Sequence, residues 1–254
     1  MFLKPRVIPS LLIEDGNLVK TIKFRKRVYI GDPINAVKIF NEEEADELCL
    51  LDISSHKNSK IDFELLEDIA SEAFMPLSYG GGITTMDDVK RLFRIGFEKI
   101  VLNTALFLYP ELVKEAVLYA GSQSVVASID YKRNIFGKNE CVIDCGTKNI
   151  KTDVISYVKR IEQLGVGEIL LNSIDNDGVM KGYDTKTIQE VTVETNLPVI
   201  CLGGAGSLAD LKEAVKECGA HAVAAGSLFV FFGPRKAVLI NYPSEAEQKE
   251  IGLF

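Results

Sequence analysis

The stretch GGGITTMDDVKRLFRIGFEKIVLNTALF, starting at Gly80, recurs half a chain later as GGAGSLADLKEAVKECGAHAVAAGSLF, starting at Gly203. Laid together without gaps, Gly80, Gly81, Asp87, Gly96 and Thr104 meet Gly203, Gly204, Asp210, Gly219 and Ser227. A chain made of two like halves must bury like surfaces in both, and few architectures allow that. Each copy joins an amphipathic stretch to a short apolar run, and this alternation continues along the whole chain. Strands are predicted at residues 6–12, 48–52, 75–78, 99–103, 124–129, 168–172, 198–202 and 222–225. Helices are predicted at 34–43, 63–73, 86–95, 111–120, 154–164, 185–195 and 208–218, with a last one after Arg235. Eight such pairs in roughly 250 residues match a (β/α)8 TIM barrel. An open doubly wound sheet uses the same elements, but a duplicated four-strand half closes naturally into a ring. No linker or charge run divides the chain, so residues 1–254 are expected to form one barrel domain with half-barrel internal duplication.

Composition removes several functions. A net charge of −7 gives no reason to expect nucleic acid or an anionic membrane surface. The longest apolar window, residues 223–232, is far short of the roughly 20 residues needed to span a bilayer. The start, MFLKPRVIPSLL, lacks the ordered parts of a signal peptide. Five cysteines leave one over in any disulfide scheme, so a cytoplasmic protein is expected. His56 and His221 lie far apart and Cys141 and Cys145 lack CxxC spacing, so neither a metal nor another cofactor is expected. Cys49, Cys201 and Cys218 read as small core residues.

In each half a glycine run follows a strand and opens a helix, and a small polar pair, Asn103-Thr104 or Gly226-Ser227, ends the next strand. Glycine lets a phosphate approach the backbone, and free N–H groups at helix starts attract its charge. The phosphate-binding candidates are therefore Gly81, Gly82, Asn103, Thr104, Gly204, Gly226 and Ser227, with Gly178 added from DGVMKGYD. Two such sites across a barrel mouth imply a ligand with a phosphate at each end; the plainer reading is tight turns. At the opposite strand ends, Arg6, Glu47, Lys99 and Glu168 share the inward phase of their strands. Such charges must pair, either as a structural cluster or for a task at that end.

Four acids, Asp52, Asp130, Asp175 and Asp177, lie near strand C-terminal ends, where barrel enzymes do their chemistry. Asp130 shares the inward phase of Val126 and Ser128, which suits a general acid or base. When VIPSLLIEDG at Val7 is slid onto VVASIDYKRN at Val125, Ser10 meets Ser128, Lys20 meets Lys138, and Leu12 meets Asp130. Asp130 and Lys20 are the catalytic candidates, and Asp52, Asn172 and Asp177 the substrate-facing ones. The basic run KFRKR at Lys23 is expected in a mobile loop meeting an anionic substrate, or as a solvated charge run.

Further motifs carry a resemblance: GDP at Gly31, ADELCLLDI at Ala45, GGGI at Gly80, GSQSVV at Gly121, GEILLNSIDNDG at Gly167, GYD at Gly182 and GGAG at Gly203. Along nearly its whole length the chain resembles HisF, the cyclase subunit of imidazole glycerol phosphate synthase. The resemblance implies that a HisH-like glutaminase docks on the barrel bottom and that ammonia passes a charged gate matched by Arg6, Glu47, Lys99 and Glu168. It further implies two phosphate sites at the glycine motifs and two catalytic aspartates, of which Asp130 matches one and Leu12 replaces the other. Asn172 and Leu202 stand where the histidine-pathway enzyme has small hydroxyl residues. TIKF at Thr21, GDPINAVKIFNE at Gly31, MPLSYGGGI at Met75 and the ending AVAAGSLFVFFG with AVLINYP resemble a HisF-like branch called WbuZ or acetamidino modification proteins. That branch implies ammonia delivery for amidation of a surface-polysaccharide sugar, with a phosphorylated or nucleotide-sugar partner. A histidine-pathway cyclase and a non-catalytic scaffold for a glutaminase are the other readings.

Overall fold

The computed structural model describes residues 4–54 and 60–253; His56 lies outside them. Eight parallel strands form the barrel: β1 (Arg6–Glu14), β4 (Leu48–Asp52), β5 (Leu77–Gly80), β6 (Lys99–Leu102), β7 (Val125–Arg133), β10 (Glu168–Ser173), β11 (Val199–Leu202) and β12 (Ala222–Ala225). Their order is β10-β11-β12-β1-β4-β5-β6-β7, and pairing of β10 with β7 closes the ring. The closed ring settles the choice against an open sheet: the fold is a (β/α)8 barrel. Helices α1 (Pro33–Glu42), α2 (Phe63–Glu72), α3 (Met86–Ile95), α4 (Thr104–Leu108), α5 (Pro110–Ala120), α6 (Val154–Glu162), α7 (Thr185–Glu194), α8 (Leu208–Lys216), α9 (Ser227–Val230) and α10 (Glu245–Glu250) follow the strands.

β1 and β7 are nine residues long and outlast the other barrel strands. Their upper ends pair antiparallel with added strands: β2 (Asn17–Ile22) and β3 (Lys26–Gly31) follow β1, and β8 (Asn139–Ile143) and β9 (Lys148–Asp153) follow β7. Each half-barrel thus carries its own hairpin on the mouth. The KFRKR run is therefore a hairpin turn and strand and not a loop. Lys23 and Phe24 take left-handed conformations at the turn, and Arg27 Nε bonds Glu14 at 2.7 Å.

The repeat is visible in the helix starts. α3 opens with a capping box between Thr85 and Asp88, and α8 with one between Ser207 and Asp210. Each box satisfies orphan N–H groups at both ends of the first turn. The boxes place Asp88, not Asp87, opposite Asp210, so the glycine turns are one residue out of the ungapped alignment. α3 buries Val89 and Leu92 and exposes Asp87, Lys90, Arg91 and Arg94, the stripe expected of a helix covering a sheet.

Strand alternation divides the apolar interior in two. On β7, Val125, Ala127 and Ile129 join the large core between sheet and helices. Val126 joins a smaller core on the barrel axis with Ile8, Cys49, Val101, Leu170, Ile200, Ala222 and Ala224. The same phase carries Ser128 and Asp130 upward along the axis, so the strand period itself delivers a carboxylate to the mouth. Cys49, Cys201 and Cys218 are buried and unpaired, Cys49 in the axial core and the other two in the outer one. Among the described residues no helix is long and apolar enough to cross a membrane.

Candidate functional site

At the barrel bottom, Arg6, Lys99 and Glu168 are the first residues of their strands and Glu47 precedes β4. The four side chains form a closed cycle of alternating charge. Arg6 pairs with Glu47 and, at 2.5 Å, with Glu168; Lys99 Nζ lies 3.1 Å from Glu47 and 2.9 Å from Glu168. Burial works against the Arg6 charge, but Glu47 and Glu168 together raise its pKa above the ordinary value. Each ion has two partners of opposite sign, which offsets a desolvation cost that a single pair would not.

At the other end, every phosphate-binding, catalytic and substrate-facing candidate lines one cavity of about 270 Å³. Asp130 is 8 % exposed. Burial pushes its carboxyl pKa up to about 7, and Asp177 adds to the rise, while a hydrogen bond from Asn172 opposes it. Asn172 Nδ2 donates to Asp130 Oδ1 at 2.9 Å and Asn103 Nδ2 to Oδ2 at 3.3 Å. Both partners are neutral, so the carboxyl can give or take a proton near neutral pH, as acid–base catalysis requires.

Lys20 reaches the mouth from β2 and is 6 % exposed. Its ammonium donates to the Ser10 carbonyl and, among the described residues, has no carboxylate within 4.0 Å. Burial lowers its pKa to about 8, against the pull of Asp177 and then Cys49. Gly226 makes room for it: a Cβ there would stand 2.1 Å from Lys20 Nζ. In the other half Asn103 replaces that glycine, and its amide takes the Ser128 carbonyl at 2.9 Å. The backbone agrees, with φ/ψ of −120/−78 at Asn103 and −106/−71 at Gly226. The counterpart of Lys20 across the barrel is thus Asn103. Lys138, which the sliding match offered, is exposed in the second hairpin.

A family model for histidine biosynthesis proteins matches residues 6–233. The chain belongs to that family, in its HisF group. It is 49 % identical over 250 residues to a provisionally named imidazole glycerol phosphate synthase subunit hisF3 of Vibrio vulnificus, covering 98 % of this chain and 96 % of that one. It is 47 % identical over 239 residues to the Pseudomonas aeruginosa subunit provisionally named hisF2, covering 94 % and 95 %. To the imidazole glycerol phosphate synthase subunit HisF of Streptomyces griseus the identity is 40 % over 232 residues, covering 91 % and 92 %.

Several residues of this HisF chain have structural duties that their motifs hid. Asp177 holds the first hairpin: it accepts from Thr21 Oγ1 at 2.7 Å and from Phe24 N at 3.3 Å, and its carbonyl accepts from Lys23 N. Burial raises its carboxyl pKa against these bonds. Gly178 has φ +67, and a Cβ there would meet the Thr21 carbonyl at 2.1 Å. Gly178→Ala is therefore expected to cost about 2–3 kcal/mol in urea unfolding, from strain and displacement of the hairpin. Asp52 accepts from Ser54 N at 2.8 Å and Tyr79 Oη at 3.3 Å. Thr104 Oγ1 accepts from Asp144 N at 3.1 Å. Asp175 is not in the cavity; it accepts from Arg133 N at 2.8 Å, closing the end of β7. Phe24, Arg27, Asp144 and Cys145 do line the cavity, and all four come from the hairpins or their turns.

Proposed function

We propose that this HisF-family chain is the synthase subunit of a glutamine amidotransferase. In this reading a HisH-like glutaminase docks on the barrel bottom, and ammonia enters through Arg6, Glu47, Lys99 and Glu168. It rises along the axis to Asp130 and is delivered for use on a phosphorylated or nucleotide-linked sugar, where, together with a further amidotransferase-like protein, it replaces the N-acetyl oxygen, which leaves as water, to give an acetamidino group. The observation that carries the reading is the pairing of a closed charge ring at one end of the barrel with a buried titrating carboxyl at the other. A half-buried ion cluster adds little net stability, so its presence favours a task at that end. Docking would open the ring by redirecting its hydrogen bonds. The choice of sugar amidation rests on Leu12 and on the motifs similar to the acetamidino branch. Histidine-pathway cyclisation is the second reading, favoured by the likeness to the Streptomyces griseus subunit.

The ring is tested with Lys99→Ala and Glu168→Ala, using a HisH-like glutaminase, glutamine and candidate nucleotide sugars. Both variants are expected to bind the glutaminase, followed by titration calorimetry, yet to release several glutamates per aminated product. A ratio equal to that of the wild type, or no glutaminase binding at micromolar concentration, would make the ring a structural cluster only.

A further inference from the structure

The inward strand phase that carries the axial core continues upward into the floor of the mouth, where it splits into two unlike halves. At the tops of β6, β7 and β10 stand Asn103, Asp130 and Asn172, the two amides donating to the two carboxyl oxygens at 3.3 and 2.9 Å. At the tops of β11, β1 and β4 stand Leu202, Leu12 and Leu51. Register sets these groups side by side: Asp130 beside Asn172, Asn172 beside Leu202, and Leu12 beside Leu51. Between β11 and β1, strand β12 has only Ala222, Ala224 and then Gly226 in this phase. Lys20 fills the room at Gly226, with its ammonium on the Ser10 carbonyl, one inward step below Leu12.

All three leucines line the cavity and keep part of their surface open to it, whereas their strand neighbours Leu11, Ile13, Leu50 and Cys201 are buried. Alkyl surface left open to water is unfavourable, and an apolar group that covers it removes the cost. A polyhydroxylated group laid on the leucines would lose water from its hydroxyls and gain no hydrogen bond there. The polar half, by contrast, has bonding capacity left. Asn172 is 5 % exposed, lines the cavity, and its Oδ1 has no partner among the described residues. The Asp130 carboxyl accepts a further bond when ionised and donates one when protonated.

We infer that the floor of the mouth is a pocket for a small N-acyl group, whose methyl rests against Leu12, Leu51 and Leu202 and whose amide edge faces Asp130 and Asn172. An acylated amine is planar, with alkyl at one end and a carbonyl and an N–H beside it, so it matches a floor that is half alkyl and half hydrogen-bonding. A bare hydroxyl or amino substituent would meet the polar half and leave the leucines uncovered. This rests on the proposed function, which brings a sugar to the mouth, and it names the substituent that enters the floor and the residues that select it.

N-methylacetamide and N-methylformamide, which differ by one methyl group, test the inference when each is titrated into the full chain carrying methyl-labelled leucine and followed by NMR. The acetamide is expected to shift the Leu12, Leu51 and Leu202 methyl signals to saturation, and the formamide to bind roughly tenfold or more weakly, the usual effect of one carbon in an apolar pocket. Leu202→Ser should shrink that ratio to about threefold or less, because one wall of the pocket is gone. Equal binding of the two amides by the wild type, no saturation by either, or saturating shifts only away from these leucines would overturn the acyl pocket. The wild-type comparison decides even where the variant fails to fold. N-acetylglucosamine 1-phosphate and glucosamine 1-phosphate, titrated in the same way, separate the pocket from the reading beneath it. Binding of both without preference would overturn the pocket and leave the sugar reading, whereas discrimination between the amides with no binding of either sugar would overturn the sugar reading and leave the pocket.

Discussion

Asp130→Asn is expected to reduce ammonia-dependent product formation by roughly 10²–10⁴-fold, the usual share of a general acid or base, while making the folded protein more stable at alkaline pH. The second effect follows from the buried carboxyl, whose pKa is about 7 in the fold against an ordinary 3.8. A folded pKa above the unfolded one means that the fold favours the protonated acid. That preference holds in full below the unfolded value and is lost as pH rises through the folded one. Ionised Asp130 therefore costs stability above pH ~7, on the order of a few kcal/mol. An amide cannot ionise and escapes this cost, and Asn172, whose Oδ1 has no partner among the described residues, can turn to accept from it. Urea unfolding should show the variant's advantage growing between pH 4 and pH 8. An advantage independent of pH would mean that Asp130 is not held protonated by its surroundings. Binding of the glutaminase at the far end should be unchanged.

The second large effect concerns imidazole glycerol phosphate formation. With leucine at position 12, this chain is expected to cyclise the histidine-pathway precursor at least about a hundredfold more slowly than a HisF with both aspartates, since an alkyl group can neither move a proton nor stabilise a cationic intermediate. Leu12→Asp should recover part of the rate, because Lys20 already stands in that half without a carboxylate. Recovery should be incomplete, since Asn172 and Leu202 also line the cavity. Rescue of a HisF-deficient strain by the unaltered chain at ordinary expression would contradict this and restore the cyclase reading.

The barrel strands were legible because period-two alternation and apolar runs are local properties. Strand phase alone placed Asp130 above Val126 and Ser128 on the axis, and placed the four bottom charges facing one another. The hairpins were harder, since their residues are charged and polar and carry no strong apolar run. One signal was present: Asp15-Gly16 between LLIE and NLVKTI is a two-residue hairpin turn with both residues at positive φ, 50° and 78°. Missing it left KFRKR as a loop and hid Phe24 and Arg27 from the cavity. The exchange of Lys20 for Asn103 across the barrel could not be read by sliding strands, because the two groups sit at different places in the repeat. Only the tertiary meeting of each with its serine carbonyl makes them equivalent.

The axial core lies between the charge ring and Asp130 along the barrel. An ion crossing such an apolar layer would shed its hydration shell at a cost of several kcal/mol, whereas a small neutral molecule with a modest dipole sheds far less. On the proposed function, the barrel interior would therefore sort by protonation state: a nitrogen that passed would leave its extra proton at the ring and meet any new one only above the layer. A polar substitution in this layer, such as Val126→Ser, would lower that barrier to water and protons without touching either charged end.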